Sequence, residues 1–162
     1  MAFTLLKPTG IDLSQTFAFT GTVSGAGGGK VLQVVQVEDS TALDLSSNSY
    51  TDTGLSASIT PSATSSKVLA LWSVHSRFQA SPAGFGVRLK RDSTNAWTST
   101  RDYYVYDDYT NNRRLTTFTY LDSPSTTSAT TYKIQVATNG SVQVDFNGNQ
   151  NQSNLTLMEI SA

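Results

Sequence analysis

No cysteine occurs anywhere in the chain. Disulfide staples, cysteine-based zinc sites and thiol nucleophiles are therefore excluded together, while the compartment stays open. Histidine is almost as scarce: His75 stands alone, so any Ser-His-Asp triad has to run through it. Charge is thin as well. Eleven Lys plus Arg stand against 12 Asp plus Glu, which argues against a nucleic-acid binder, because phosphate contacts need a basic surface. Long apolar runs are missing. The opening MAFTLLKPTG reaches Pro8 without one long enough for a signal peptide or a membrane span, so neither Sec export nor membrane insertion is expected. No stretch sustains a 3.6-residue apolar period, and Pro or Gly interrupts each candidate helix.

What the chain has instead is hydroxyl. Ser (22) and Thr (23) exceed a quarter of the 162 residues. Thr suits a pleated, half-exposed surface and both suit turns, so the composition leans to an all-β protein with an uncharged polar skin. The segment from Leu115 to Thr138 has the clearest pattern. Phe118 and Tyr120 alternate with Thr117, Thr119 and Leu121; Tyr132, Ile134 and Val136 alternate with Lys133, Gln135 and Ala137. Each arm thus offers one apolar face to a core. Between them lies a polar stretch containing Pro124, which reads as a long hairpin or an inter-sheet crossover. Further strands are expected at Lys30–Glu38, Leu55–Thr60, Lys67–His75, Phe85–Arg91, Asp102–Tyr109, Ser141–Phe146 and Asn154–Ile160. Asn139-Gly140 carries a two-residue hairpin signal, since both residues tolerate positive φ. About eight strands with long Ser/Thr-rich crossovers predict a jelly-roll β-sandwich over residues 30–162.

Residues 1–29 differ in kind. Phe3, Leu5, Leu6, Ile11, Leu13, Phe17 and Phe19 are too apolar for a free tail. Pro8, Gly10, Gly21 and Gly25 cut the segment into pieces too short for a core. It reads as an anchoring arm for a partner protein or for its own copies, the alternative being a strand packed on its own domain. Gly25-Ala-Gly-Gly-Gly-Lys30 fails as a phosphate loop. Ser24 stands where the pattern needs Gly and Val31 where it needs Ser or Thr. It reads as a hinge, and no cofactor motif occurs.

Two strands look apolar on both sides, which calls for a second protein surface over them. In KVLALWSVH, Val68, Ala70, Trp72 and Val74 oppose Leu69 and Leu71; in NLTLMEI, Leu155 and Leu157 oppose Met158 and Ile160. Leu69, Leu71, Trp72, Tyr132, Leu157 and Met158 are accordingly the candidate subunit contacts. A closed trimer would protect such strands from open-ended association. The segment Trp97–Arg114 is the most binding-like, with Trp97, Tyr103, Tyr104, Tyr106 and Tyr109 beside Arg101, Arg113 and Arg114. Such residues supply hot-spot energy at interfaces, and aromatic faces stack on sugar rings. A subunit contact, a host-surface site or a plain Tyr-rich strand would each use them. Catalysis has less support. No G-x-S-x-G accompanies His75, which is expected as a hydrogen-bonded interface or core-rim residue. Asp102, Asp107, Asp108 and Asp122 lack a calcium-loop spacing and are expected to face solvent. A small glycan-modifying enzyme using Asp107 or Asp108 is the reading from another class.

The run LDSPSTTSATTYK (Leu121–Lys133), with KVLALWSV before it and NLTLMEI closing the chain, resembles the small jelly-roll structural proteins of tailed bacteriophages, common in phages of cyanobacteria and other aquatic bacteria. Their heads are similar to the trimeric C1q/tumour-necrosis-factor fold. The resemblance spans about Lys30 to Ile160. It implies a non-enzymatic homotrimer on the virion surface, made in the bacterial host cytoplasm. A short tail fibre or tail-appended protein touching host glycan is the first role it implies, and a capsid decoration protein the second. In either, residues 1–29 would meet other virion proteins. This chain departs from longer fibres in having no repetitive shaft.

Overall fold

A computed structural model describes residues 29–99, 104–139, 142–148 and 151–161. Every regular element among them is a strand. In chain order these are β1 (Val31–Asp39), β2 (Leu43–Leu45), β3 (Thr51–Ile59), β4 (Lys67–Phe78), β5 (Ala83–Arg91), β6 (Thr94–Thr98), β7 (Val105–Asp107), β8 (Arg113–Asp122), β9 (Thr130–Thr138), β10 (Val144–Phe146) and β11 (Ser153–Ile160). They form two antiparallel sheets.

Eleven segments make only eight lanes. β11 pairs with β4 along Lys67–Ser73, and β10 takes up the same side of β4 along Ser76–Phe78. Likewise β1 pairs with β11 and β2 with β10. On the other sheet β6 and β7 share one side of β5. Counted as lanes in chain order, one sheet runs first, eighth, third, sixth and the other second, seventh, fourth, fifth. That is the strand order of a jelly roll.

The stretch Leu115–Thr138 is the inter-sheet crossover, not the hairpin. β8 belongs with β4, whereas β9 lies between β3 and β5. Asn139-Gly140 is not a hairpin turn either, because β9 and β10 lie in different sheets. The expected strand at Asp102–Tyr109 is a strand only over β7 among the described residues, and β6 was not expected. A cross-strand neighbour, not the local pattern, decides both.

The core lies between the sheets. Trp72, Phe78, Phe85, Leu89, Ile134, Phe146, Leu155 and Leu157 are wholly buried in it. Trp72 stacks on Phe118 of the neighbouring strand at 5.5 Å and meets Trp97 of the opposite sheet edge-on at 5.7 Å. Each such ring pair adds about 0.5–1.5 kcal/mol beyond burial. Three candidate subunit contacts are thereby corrected. Trp72, Tyr132 and Leu157 have no exposed surface within the single chain, because they fall on the inward phase of β4, β9 and β11. Leu69, Leu71 and Met158 hold the outward phase and are half-buried.

Candidate interaction surfaces

Strand β8 positions everything that faces outward at one edge of the sandwich. Both of its ends are tied to the opposite sheet by an ion pair. Asp122 accepts from Arg91 Nη1 at 2.9 and 2.7 Å and from the Tyr132 hydroxyl at 2.6 Å. Burial raises the Tyr132 phenol above its ordinary range, and the adjacent carboxylate raises it further. At the other end Asp107, buried, accepts from Arg114 Nε and Asn112 Nδ2 at 2.6 Å each and from the Tyr109 amide at 2.9 Å. Burial alone would raise this carboxyl. The Tyr109, Arg114 and Asn112 donors outweigh it and hold the group below its ordinary value. Asp107 is thus a buried structural carboxylate, not the solvent-facing one expected; its oxygens are occupied by the loop it organises.

That loop carries exposed Tyr109, and Tyr104 and Tyr106 lie just before and on β7, which leads into it. Asn111 donates its amide to the Phe78 carbonyl, and Phe78 donates to Asn112, so the loop sits against the far end of β4. Tyr109 is 73% exposed, Tyr104 49% and Tyr106 40%. Arg113 is exposed, whereas Arg114 is spent on Asp107. Tyr104 also caps the core, meeting Trp97 at 5.9 Å and Phe118 at 6.0 Å. Trp97 is half-buried beneath it and belongs to the core edge more than to the surface. Arg101, Asp102 and Tyr103 lie outside the described residues, as do Phe3, Leu5, Leu6, Ile11, Leu13, Phe17 and Phe19 of the arm.

The chain enters at the opposite end. Lys30 donates its amide to Ser161 Oγ and accepts from the Ser161 amide, both at 2.9 Å. The two ends of the described head are therefore zipped together beside Ile160. Ile160 pairs across to Lys67, where β4 begins. The 12 residues of β4 separate this entry from the tyrosine loop, about 36 Å at 3.3 Å per residue.

Other polar groups are committed to structure. Glu159, buried on the entry side, accepts from the Ser62 hydroxyl and from Gln33 Nε2 at 2.6 Å and from the Ser62 amide at 2.7 Å. The Ser62 hydroxyl and Gln33 together outweigh burial and bring its carboxyl down to about 2. His75 sits half-buried on the outer face, and its buried Nδ1 has no hydrogen-bond partner within the described chain. Burial, helped by the Arg113 charge, keeps its pKa below the usual histidine value. No group of three metal-ligating side chains occurs among the described residues.

Sequence reasoning missed one feature: the exposed Val31, Leu32, Val34, Leu115 and Leu121. Leu32, Val34, Leu115 and Leu121 sit on the outer face of the β1-β11-β4-β8 sheet. Each looks incidental in its own strand, and only the register between strands assembles them.

No family model matches the chain, and no curated protein matches it. Solved structures similar to it include chains of infectious bursal disease virus. The VP2 subviral particle aligns at 16% identity with TM-score 0.41, covering 80% of this chain and 38% of that one. A mutant VP2 from derived T=1 particles aligns at 15% and 0.42, covering 91% and 41%. A structure of infectious bursal disease virus Gx strain aligns at 13% and 0.38, covering 79% and 38%. The chain spans about two fifths of these proteins, and likeness at this level assigns no role.

Proposed function

We propose that this chain is a non-enzymatic structural protein of a tailed-bacteriophage particle, a homotrimer acting as a short tail fibre or tail-appended protein. Residues 1–29 dock on the particle and the jelly-roll head meets the host surface. One observation carries the reading: the head is polar along β4. The chain enters beside Ile160 and Lys67, and the exposed Tyr106 and Tyr109 stand at the far end. A protein anchored by its N-terminus and reading a surface with its tip needs this arrangement. Tyrosine faces stack on sugar rings. Three tips on one trimer raise weak single-site binding through effective concentration. Of the two carboxylates the enzyme reading would use, Asp107 is buried and taken up by Tyr109, Asn112 and Arg114, and Asp108 accepts from the Tyr106 hydroxyl.

The test is gold-labelled antibody against the head, imaged on intact particles, joined to adsorption counts for Tyr106→Ala and Tyr109→Ala particles. Label at the tail with adsorption reduced about tenfold and oligomer mass unchanged is the expected result. Label spread over the shell, with adsorption intact, would assign capsid decoration instead. Hydrolysis of a host polysaccharide that Asp108→Asn abolishes would overturn the non-enzymatic reading.

A further inference from the structure

Four of the eight large apolar side chains exposed among the described residues, Leu32, Val34, Leu115 and Leu121, share one face, the outer surface of the β1-β11-β4-β8 sheet. Register aligns them. Val34 stands opposite Met158, Met158 opposite Leu69, and Leu69 opposite Leu121. One apolar row thus crosses all four lanes. Leu32, Ile160 and Leu71 flank it along their strands.

Eight residues further along β4 a second row crosses the same lanes. Asp44 stands opposite Asp145, Asp145 opposite Arg77, and Arg77 opposite Arg113. Leu45 beside Asp44 packs in the core, so Asp44 faces out. Two lanes of this row are acidic and two are basic. The inner pair, Arg77 and Asp145, closes on itself at 3.7 Å. Asp44 and Arg113, on the outer lanes, are both exposed. The charged and apolar rows lie about 26 Å apart.

This pattern matches itself under one kind of rotation. Turning a second copy about an axis parallel to the strands keeps every row at its own height. It brings the acidic lanes of one copy against the basic lanes of the next, and apolar row against apolar row. An axis across the strands would set charges on the apolar row, which costs their hydration without a partner. We infer that this face is a contact between copies of the chain, closed about an axis parallel to the strands. The apolar row forms its dry layer, and Asp44 faces Arg113 of the partner subunit. The inference deepens the self-associating part of the functional reading and does not depend on the virion.

The experiment is native mass spectrometry and sedimentation of the full chain over a concentration series. The wild type is expected as a closed oligomer. Leu121→Asp and Val34→Asp, both at exposed positions, should raise its dissociation concentration about a hundredfold, with the β-sheet circular dichroism unchanged. Asp44→Arg and Arg113→Asp should each raise it about tenfold, and both changes in one chain should restore it. Mixing the two single-charge variants adds a count. An even ring can alternate them and re-forms, whereas a ring of three always retains one like-charged contact and does not. Either result supports the face, and only the second keeps the threefold. An oligomer indifferent to Leu121→Asp and Asp44→Arg would overturn the face while leaving self-association standing. A wild type monomeric throughout would overturn both and leave residues 1–29 as the nearest apolar cover.

Discussion

The two ion pairs that tie down β8 use the same chemistry for different ends. Around Asp122 the partners come from three separate strands: β5 gives Arg91, β9 gives Tyr132 and β8 the carboxylate itself. Around Asp107 the donors Tyr109, Asn112 and Arg114 all come from the next seven residues of chain. The first arrangement holds one sheet to the other. The second mainly shapes a loop, and that loop presents Tyr109 beside Tyr106 of β7. A buried carboxylate is thus read by the sequence distance to its donors: far partners make it a staple of the fold, near partners a former of surface.

The comparison can be broken most forcefully at Arg91. Arg91→Ala leaves the buried Asp122 carboxylate without its cation and should cost about 3 kcal/mol in urea unfolding. A cost below about 1 kcal/mol would mean that the sheets are held by the aromatic packing alone. Arg114→Ala should cost less, about 1–2 kcal/mol, because Asp107 keeps Asn112 and the Tyr109 amide. Its larger effect is expected on adsorption, and an equal effect of both arginine changes on adsorption would erase the distinction.

Acid sharpens it further. Asp107 and Glu159 both have carboxyls held below their ordinary values. Each therefore contributes stability that is fully present above the unfolded-state value, near 4.5 for Glu159, and lost as pH falls through the folded one, about 2. Unfolding free energy should fall across that window, and Glu159→Gln should flatten the fall. The smallest effect belongs to Tyr109→Ala. At 73% exposure it should move stability by less than about 0.5 kcal/mol, so any adsorption defect reports contact and not unfolding.

Much of the fold was legible in the alternation of single strands. The inward phase of β8 and β9, carrying Phe118, Tyr132, Ile134 and Val136, follows from period two alone. What strand-by-strand reading could not supply was the neighbour. It made Trp72 and Leu157 candidates for a subunit contact, because a strand apolar on both sides does not say which side its own second sheet covers. It took Asn139-Gly140 for a hairpin, because turn chemistry does not say whether the next strand stays in the same sheet. The tyrosine-rich segment was visible by composition, while the commitment of Asp107 and Arg114 to its loop was not. The apolar row through Val34, Met158, Leu69 and Leu121 joins four strands that are far apart in sequence, so no local window contains it.

The zipped meeting of Lys30 with Ser161 has a mechanical consequence. If residues 1–29 dock on a particle and the tyrosine loop is held, as proposed, the pull runs along the strands of the head, with the load entering β1 at Val31. β1 is joined to β11 through eight register pairs from Val31 to Asp39. Tension in that direction shears the ladder, so its bonds bear load side by side instead of parting one after another. A tug across the strands at the same point would peel β1 from its end. The β1–β11 ladder is thus placed to bear load along the strands better than across them.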